Sequence, residues 1–279
     1  MTHTVILIGT GGGGGDTAEL ACGMADYPAF TINAKVGADI VLARPAGIKS
    51  GFFGDRIQAR GVSAAYADEI GAKLVGHSAA VVIAALGGGA GTGTLITVSD
   101  CARKQSMKII AVVLLPFVAE GGGRRKRALE ELNDLTAFAD RIIVMDMQQV
   151  VPLGQDMKAS EVLQAADLLA AEAAVTVARL YETAPFFSTF SQEAYSFSYG
   201  AGADLVTAVR TAMARPLYEL DPSAGKMVVC PEAVLVPGQA EAVSTAVANL
   251  TGIIPEVISG RGTGSGVMVF MPISFRRSE

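Results

Sequence analysis

Residues 79–99, AAVVIAALGGGAGTGTLITVS, restrict this chain more than any other stretch. An apolar run from Ala79 to Leu86 breaks into Gly87, Gly88, Gly89, Ala90, Gly91, Thr92, Gly93 and Thr94, and an apolar, helix-compatible pattern then resumes. That succession predicts a buried strand, a glycine loop and the start of a helix. Without Cβ atoms to hold a ligand away, successive backbone N–H groups can converge on an anion beside the positive end of the helix. The loop suits phosphate. A flexible linker is the plainer alternative, but linkers are rarely flanked so closely by an apolar run and by helical periodicity.

A second unit of the same kind opens the chain. Residues 4–8 read as a strand, 9–16 (GTGGGGGD) as a glycine loop and 16–25 as a helix. Gly9, Gly11 and Gly14 match G-x-G-x-x-G, a weak signal within five consecutive glycines. A dinucleotide fold would place an acidic residue after the second strand, 29–32, where Asn33, Ala34 and Lys35 stand instead. A dinucleotide-dependent oxidoreductase is therefore the weaker reading.

Further along, residues 43–60 read as a loop, 62–75 as a helix, 95–105 as a helix, 108–115 as a buried strand, 124–138 as a helix and 141–145 as a strand. Strands alternating with helices predict an α/β fold with a Rossmann-like parallel sheet and a ligand beyond the carboxyl ends of its strands. A long helix at 160–182, with Ser160 as N-cap, would bury Leu163, Ala166, Ala170, Ala173, Ala174 and Val177. After an aromatic-rich segment, 186–199, a smaller α+β half follows. It has helices at 204–214 and 240–250, strands at 226–230, 254–259 and 267–273, and a hairpin turn at 260–266.

Composition removes several function classes. The chain has 279 residues and a net charge of −5 with interspersed signs, which argues against a nucleic-acid partner. The one basic cluster, Arg124 to Arg127, reads as a helix face or a small-anion contact. Cys22, Cys101 and Cys230 lie far apart and odd in number, as expected of reduced thiols in the cytoplasm. His3 and His77 have no partner at metal-ligand spacing, so no metal ligands are predicted, and no G-x-S-x-G elbow is present. The longest apolar stretch, 109–119, contains Pro116 and is shorter than the roughly 20 residues of a membrane span. Neither a targeting segment nor membrane insertion is expected.

Taken in order, GTGGGGG from Gly9, INA from Ile32, GGGAGTGT from Gly87, PF followed by EG from Pro116 and a basic helix start at Arg124 resemble the tubulin/FtsZ family, closer to FtsZ. The resemblance implies a nucleotide-binding GTPase domain over 1–158, a central helix over 159–184 and a second α+β domain over 185–279 that contacts the next subunit of a filament. It implies that the backbones of Gly11, Gly12, Gly13 and Gly14, and of Gly88, Gly89, Ala90, Gly91 and Thr92, surround the phosphates of GTP or GDP, with a magnesium ion as companion. Glu120 and Arg124 would reach the ribose and adjacent phosphate. Asp167 would accept hydrogen bonds from guanine N1 and the exocyclic amine, the bland alternative being a solvated helix face.

Some positions depart from the family pattern. Met147 stands where an Asn reads the base, Leu163 where an aromatic stacks on it, and Lys35 where an acidic residue is usual. The segment near Gly51 lacks the glycine-alanine loop that touches the terminal phosphate. In the loop that would enter the neighbouring subunit's pocket, STFSQE at 188–193, Phe190 replaces the first acidic residue and Glu193 stands for the second. Glu193 is then the candidate catalytic carboxylate and hydrolysis is expected to be slow or impaired. Alternatively Phe186, Phe187, Phe190 and Tyr195 form a packing surface. The short ending, PISFRRSE, makes a standard division-ring role unexpected, and a non-polymerising nucleotide switch or scaffold remains an alternative.

Overall fold

The computed structural model describes residues 4–44, 52, 54–154, 158–214 and 225–274, apart from the side chains of 151–154 and 159. The expectations placed on Gly51 and on residues 275–279 lie outside the described residues. The chain divides into two compact units, Met1–Thr183 and Ala184–Glu279. In the first, β1 (Val5–Thr10), β2 (Ala29–Asn33), β3 (Ile40–Val41), β4 (Ala79–Ala85), β5 (Lys108–Leu115) and β6 (Arg141–Asp146) run in the order β3-β2-β1-β4-β5-β6. Every pairing among them is parallel. Buried on both faces, such strands read as continuous apolar runs, and β1 and β5 are buried along nearly their whole length.

Strand order reverses between β1 and β4, because β1 leads outward to β2 on one side while β4 pairs on the other. Thr10 is level with Ile32 on one side and Ala84 on the other, so the carboxyl ends align there. In open α/β sheets this switch point is where a crevice forms.

Both glycine stretches are more helical than their composition predicts. Helix α1 (Gly11–Met24) starts five residues before the expected Asp16, and α4 (Ala90–Lys104) starts at Ala90 rather than Leu95. Glycine is a poor helix former, so propensity placed these starts too late. Close packing outweighs it: a Cβ on Gly91 would lie 2.5 Å from the Ala85 carbonyl oxygen, one on Gly93 2.5 Å from that of Arg56, and one on Gly14 would overlap that of Ile83.

Other boundaries shift for local reasons. The expected loop at 43–60 and single helix at 62–75 become α2 (Arg56–Ala64) and α3 (Ala67–Leu74), with Asp55 capping α2 by accepting the Gln58 N–H at 2.9 Å. Helix α5 spans Gly122–Asp134, and a 3-10 turn, Leu135–Ala137, replaces the expected last turn. Helix α6 (Ala159–Thr183) takes Lys158, not Ser160, at its cap: the Lys158 carbonyl accepts Val162 N–H at 3.1 Å and its N–H donates to Glu161 Oε2 at 2.7 Å. Ala166, Ala170, Ala173, Ala174 and Val177 are fully buried as their spacing predicts, but Leu163 is 47% exposed.

In the second unit, α7 (Phe186–Thr189) precedes β7 (Ala194–Ala201), α8 (Leu205–Met213), β8 (Val228–Pro231), α9 (Gln239–Thr251), β9 (Glu256–Val257) and β10 (Gly266–Ile273). The order β7-β10-β8-β9 leaves β9 and β10 apart, with β8 between them. Residues 260–266 are therefore not a hairpin turn. Their glycines close around Glu232 instead, whose carboxylate accepts Gly266 N–H at 3.1 Å and the Tyr199 hydroxyl at 3.0 Å. Ala208, Ala212, Val229, Val243, Val247 and Val269 join α8 and α9 to one core. Phe190 stacks on Phe186 at 4.6 Å and meets Tyr195 and Phe270 edge-on, which is the packing alternative for the aromatic segment.

Gly14→Ala is expected to destabilise the chain by about 3 kcal/mol or more, because neither the Ile83 carbonyl nor the helix backbone can yield. Gly12→Ala, with nothing within 4 Å of its Cβ, should change stability by less than about 1 kcal/mol. Urea unfolding of the two variants beside the parent decides it; equal midpoints for both would refute the packing account.

Candidate functional site

The first residues of α1 and α4 meet over the carboxyl ends of β1 and β4. A Cβ on Gly11 would lie 2.8 Å from Gly91 N, so the two helix starts touch backbone to backbone. Gly11, Gly87 and Gly89 have φ of 72°, 75° and 84°, values at which an L side chain is strained. The buried hydroxyl of Thr10 bridges the junction, facing the Ile83 carbonyl at 3.2 Å and that of Gly91 at 3.0 Å.

Beside this junction opens a cavity of about 550 Å³. Gly11, Gly12 and Gly13 line it from α1, and Gly87, Gly88, Ala90 and Gly91 from the β4–α4 turn. The opening turns of two helices thus present N–H groups that have no intrahelical partner, beside two positive dipole ends. Asn33 and Ala34 contribute from the end of β2, and Lys35, Arg44, Arg124 and Arg127 bring positive charge. In a chain of net charge −5, this concentration of cations on one glycine-walled cavity selects an anion.

A buried carboxylate sets the shape of the glycine turn. Glu131, only 3% exposed on α5, accepts Gly87 N–H at 2.6 Å and the Thr92 hydroxyl at 2.5 Å. One side chain thereby joins α5 to the entrance and first turn of α4. The basic cluster separates along the same helix. Arg124 and Arg127, three residues apart, share the cavity face. Arg125 turns the other way, holding the 3%-exposed Asp146 at the end of β6 through both guanidinium nitrogens and donating to the Pro116 carbonyl at 2.9 Å. Arg127 donates to the Gly87 carbonyl at 3.3 Å, and Arg124 pairs with Glu120 at 2.5 Å.

The predicted site residues fall into two sets. Gly11, Gly12, Gly13, Gly88, Ala90, Gly91 and Arg124 line the cavity. Gly14 is packed under Ile83, Gly89 faces Asp55, and the Thr92 side chain is committed to Glu131. Asp167 lies on α6 and accepts from Thr17 Oγ1 at 3.3 Å, while the same hydroxyl faces the Gly13 carbonyl at 2.9 Å. The carboxylate is thus one helix turn from the cavity wall. Burial raises its pKa above the ordinary carboxylate value; the Thr17 hydrogen bond opposes the rise and the nearby Asp16 charge adds to it. Glu193 is exposed just before β7 in the second unit, whereas Phe190 is fully buried there.

Lys35, Arg44, Arg127 and Glu131 were not among the predicted site residues. The i, i+3 spacing of Arg124 and Arg127 carried a readable signal. Glu131 carried none, since a glutamate in a charged helix reads as solvent-facing.

Residues 44–153 match the model of the Tubulin/FtsZ family, GTPase domain. The cell division protein FtsZ of Methanothermobacter thermautotrophicus is 28% identical over 166 residues, which cover 55% of this chain and 44% of that protein. FtsZ 1 of Methanocaldococcus jannaschii is 33% identical over 101 residues, 36% of this chain and 28% of that one. The chain thus spans less than half the length of these relatives. Among solved structures, an empty FtsZ dimer of M. jannaschii superposes with a TM-score of 0.79 at 22% identity, over 97% of this chain and 88% of that one. CetZ2 of Haloferax volcanii, a GTPγS-bound protofilament, gives 0.78 at 16% identity over 99% and 94%. These likenesses show the fold.

Glu131→Ala leaves the Gly87 N–H and the Thr92 hydroxyl without their acceptor. It is expected to cost about 2–4 kcal/mol in urea unfolding. Hydrogen exchange at the Gly87 amide should speed up in the same variant, and an unchanged rate would show that Glu131 does not hold the turn.

Proposed function

We propose that the chain is a cytoskeletal-type GTP-binding protein of the tubulin/FtsZ family that holds GTP or GDP in the cavity between α1 and α4, a reading supported by the match of residues 44–153 to that family's GTPase domain. The observation that carries this reading is the junction itself. Two helix starts, stripped of side chains by Gly11, Gly12, Gly13, Gly88 and Gly91, face four cationic side chains across about 550 Å³. Phosphates suit that combination of N–H donors and positive charge.

Asp167 is the proposed base reader. A carboxylate matches the two donors on the guanine edge and would face an acceptor on adenine. Its place one turn from Gly13, through Thr17, supports the role. Leu163, one helical turn earlier on α6 and about half exposed, is available to pack on the base.

We assign the chain head-to-tail self-association, in which Glu193 of one copy approaches the nucleotide of the next and orients the attacking water. Hydrolysis on this reading is slow. Phe190 is fully enclosed among Phe186, Tyr195 and Phe270, so Glu193 lacks an acidic companion at that position. The same observation favours the second reading, a nucleotide-binding switch or scaffold that does not polymerise. A dinucleotide oxidoreductase finds less support, because Lys35 stands at the cavity where a ribose carboxylate would be needed. Among the described residues no helix is long and apolar enough to cross a membrane.

Calorimetric titration is expected to show GTP and GDP binding, with Asp167→Ala weakening GTP by about tenfold and ATP by much less. Equal losses for both would remove Asp167 as the base reader. Sedimentation with GTP against GDP separates the two readings: a nucleotide-dependent pellet supports the filament, and one small species under both conditions supports the switch. Where pelleting occurs, Glu193→Ala should abolish phosphate release; turnover at the parent rate would exclude it as the water-orienting group.

A further inference from the structure

A magnesium ion accompanies a nucleoside triphosphate by taking oxygens from the phosphates and from one or two carboxylates, while keeping several waters. The donor set at this cavity does not fit that arrangement. Among the described residues its charged lining is entirely positive, Lys35, Arg44, Arg124 and Arg127.

The carboxylates nearest the cavity in the chain are engaged with other groups or do not line it. Asp39, after β2, accepts Thr31 N–H at 2.8 Å and the Thr31 hydroxyl at 3.0 Å. Asp55 caps α2, and Glu120 accepts from both Arg124 and the Phe117 N–H. Glu131 is buried behind Gly87 and Thr92, and Asp16 is exposed on α1 and does not line the cavity. By sequence, residues 45–51 supply Lys49 and no acidic residue.

The cations, in contrast, are seated. Arg127 donates to the Gly87 carbonyl, and Gly54, at φ 83°, makes room for it: a Cβ there would lie 2.6 Å from Arg127 Cζ. Arg44 Nε donates to the Ala34 carbonyl at 2.7 Å, which brings it to the rim beside Lys35. Lys35 is exposed at the end of β2, at the position where the family resemblance calls for an acidic residue.

We propose, resting on the nucleotide reading above, that these side chains neutralise the phosphates in place of a divalent ion, with Lys35 at the position of the missing carboxylate. A nucleoside triphosphate then binds here without magnesium. An ammonium group is a compact point charge that needs no coordination shell from the protein. A divalent cation brought into the same cavity is repelled by the charges of Lys35, Arg44 and Arg127, with Arg124 partly offset by its pair with Glu120.

The test is titration of the whole chain with GTP in excess EDTA and in millimolar magnesium. The two dissociation constants are expected to agree within about twofold, and a tightening of about tenfold or more on adding magnesium would overturn the proposal. Lys35→Asp should lose about tenfold or more in EDTA and recover most of it in magnesium, since the substitution supplies the ligand that the cavity lacks. Lys35→Ala should weaken binding without that recovery. If Lys35→Asp binds as the parent does in EDTA, or gains nothing from magnesium, Lys35 has no such role. Because Lys35 is exposed, both variants should keep the parental unfolding midpoint. Absence of GTP binding in both buffers would remove the nucleotide reading itself, an outcome distinct from magnesium dependence.

Discussion

At the carboxyl end of the β1–β4 pair, two helix backbones and two strand backbones meet at glycines, with the Thr10 hydroxyl bridging between them. Gly14 lies against the Ile83 carbonyl, Gly91 against that of Ala85, and Gly11 against Gly91 itself. Any larger residue would separate the helices from the sheet by the thickness of a methyl group and open a gap in the first unit's core. The contact also exposes the two helix starts on one cavity, because the residues that line it there are Gly11, Gly12, Gly13 and Gly91 with only the methyl of Ala90 among them. The close packing and the open glycine wall of the cavity are two results of the same missing Cβ atoms.

Around that junction the polar side chains act as braces. Thr10 spans β4 and α4, Glu131 ties α5 to the glycine turn, and Arg125 ties α5 to the end of β6 through Asp146. Breaking a buried pair of this kind on one side typically costs about 3–5 kcal/mol, since the remaining charge is left without a partner. With Arg125 and Glu131 committed inward, α5 offers Arg124 and Arg127 to the cavity in a fixed direction. The result is a concentration of positive charge on one cavity of an acidic protein, the feature on which the proposed nucleotide and magnesium readings rest.

The second unit follows different physics. Its core is aromatic and aliphatic, and the loop expected to carry the catalytic carboxylate folds its phenylalanine inward. Glu193 remains at the surface because it follows a residue that the core retains. Phe190 therefore anchors this loop in the core of the second unit.

Much of the site was legible in the chain itself. The apolar run before Gly87, the matching run before Gly9 and the strand–helix alternation predict a parallel sheet with phosphate-type loops, and the family motifs follow the same order. Periodicity found the buried alanines of α6. It misjudged Leu163, since a leucine at the helix period reads as core whether or not another element covers it. Propensity delayed both glycine helices, and local pattern suggested a hairpin at 260–266, because neither can register a strand inserted from elsewhere in the chain.

The sequence by itself determined the strand–glycine–helix units, the cationic face of α5 and the lack of a ribose carboxylate, for these depend on residue type and short spacing. Only the tertiary structure decided that α1 and α4 start on one another, that Glu131 is a buried brace, that Gly14 is a packing residue and that Lys35 and Arg127 share a cavity. Those contacts join residues 39 to 92 positions apart. Contacts across such separations form only when the sheet brings the ends of distant strands level, and a local pattern carries no record of that.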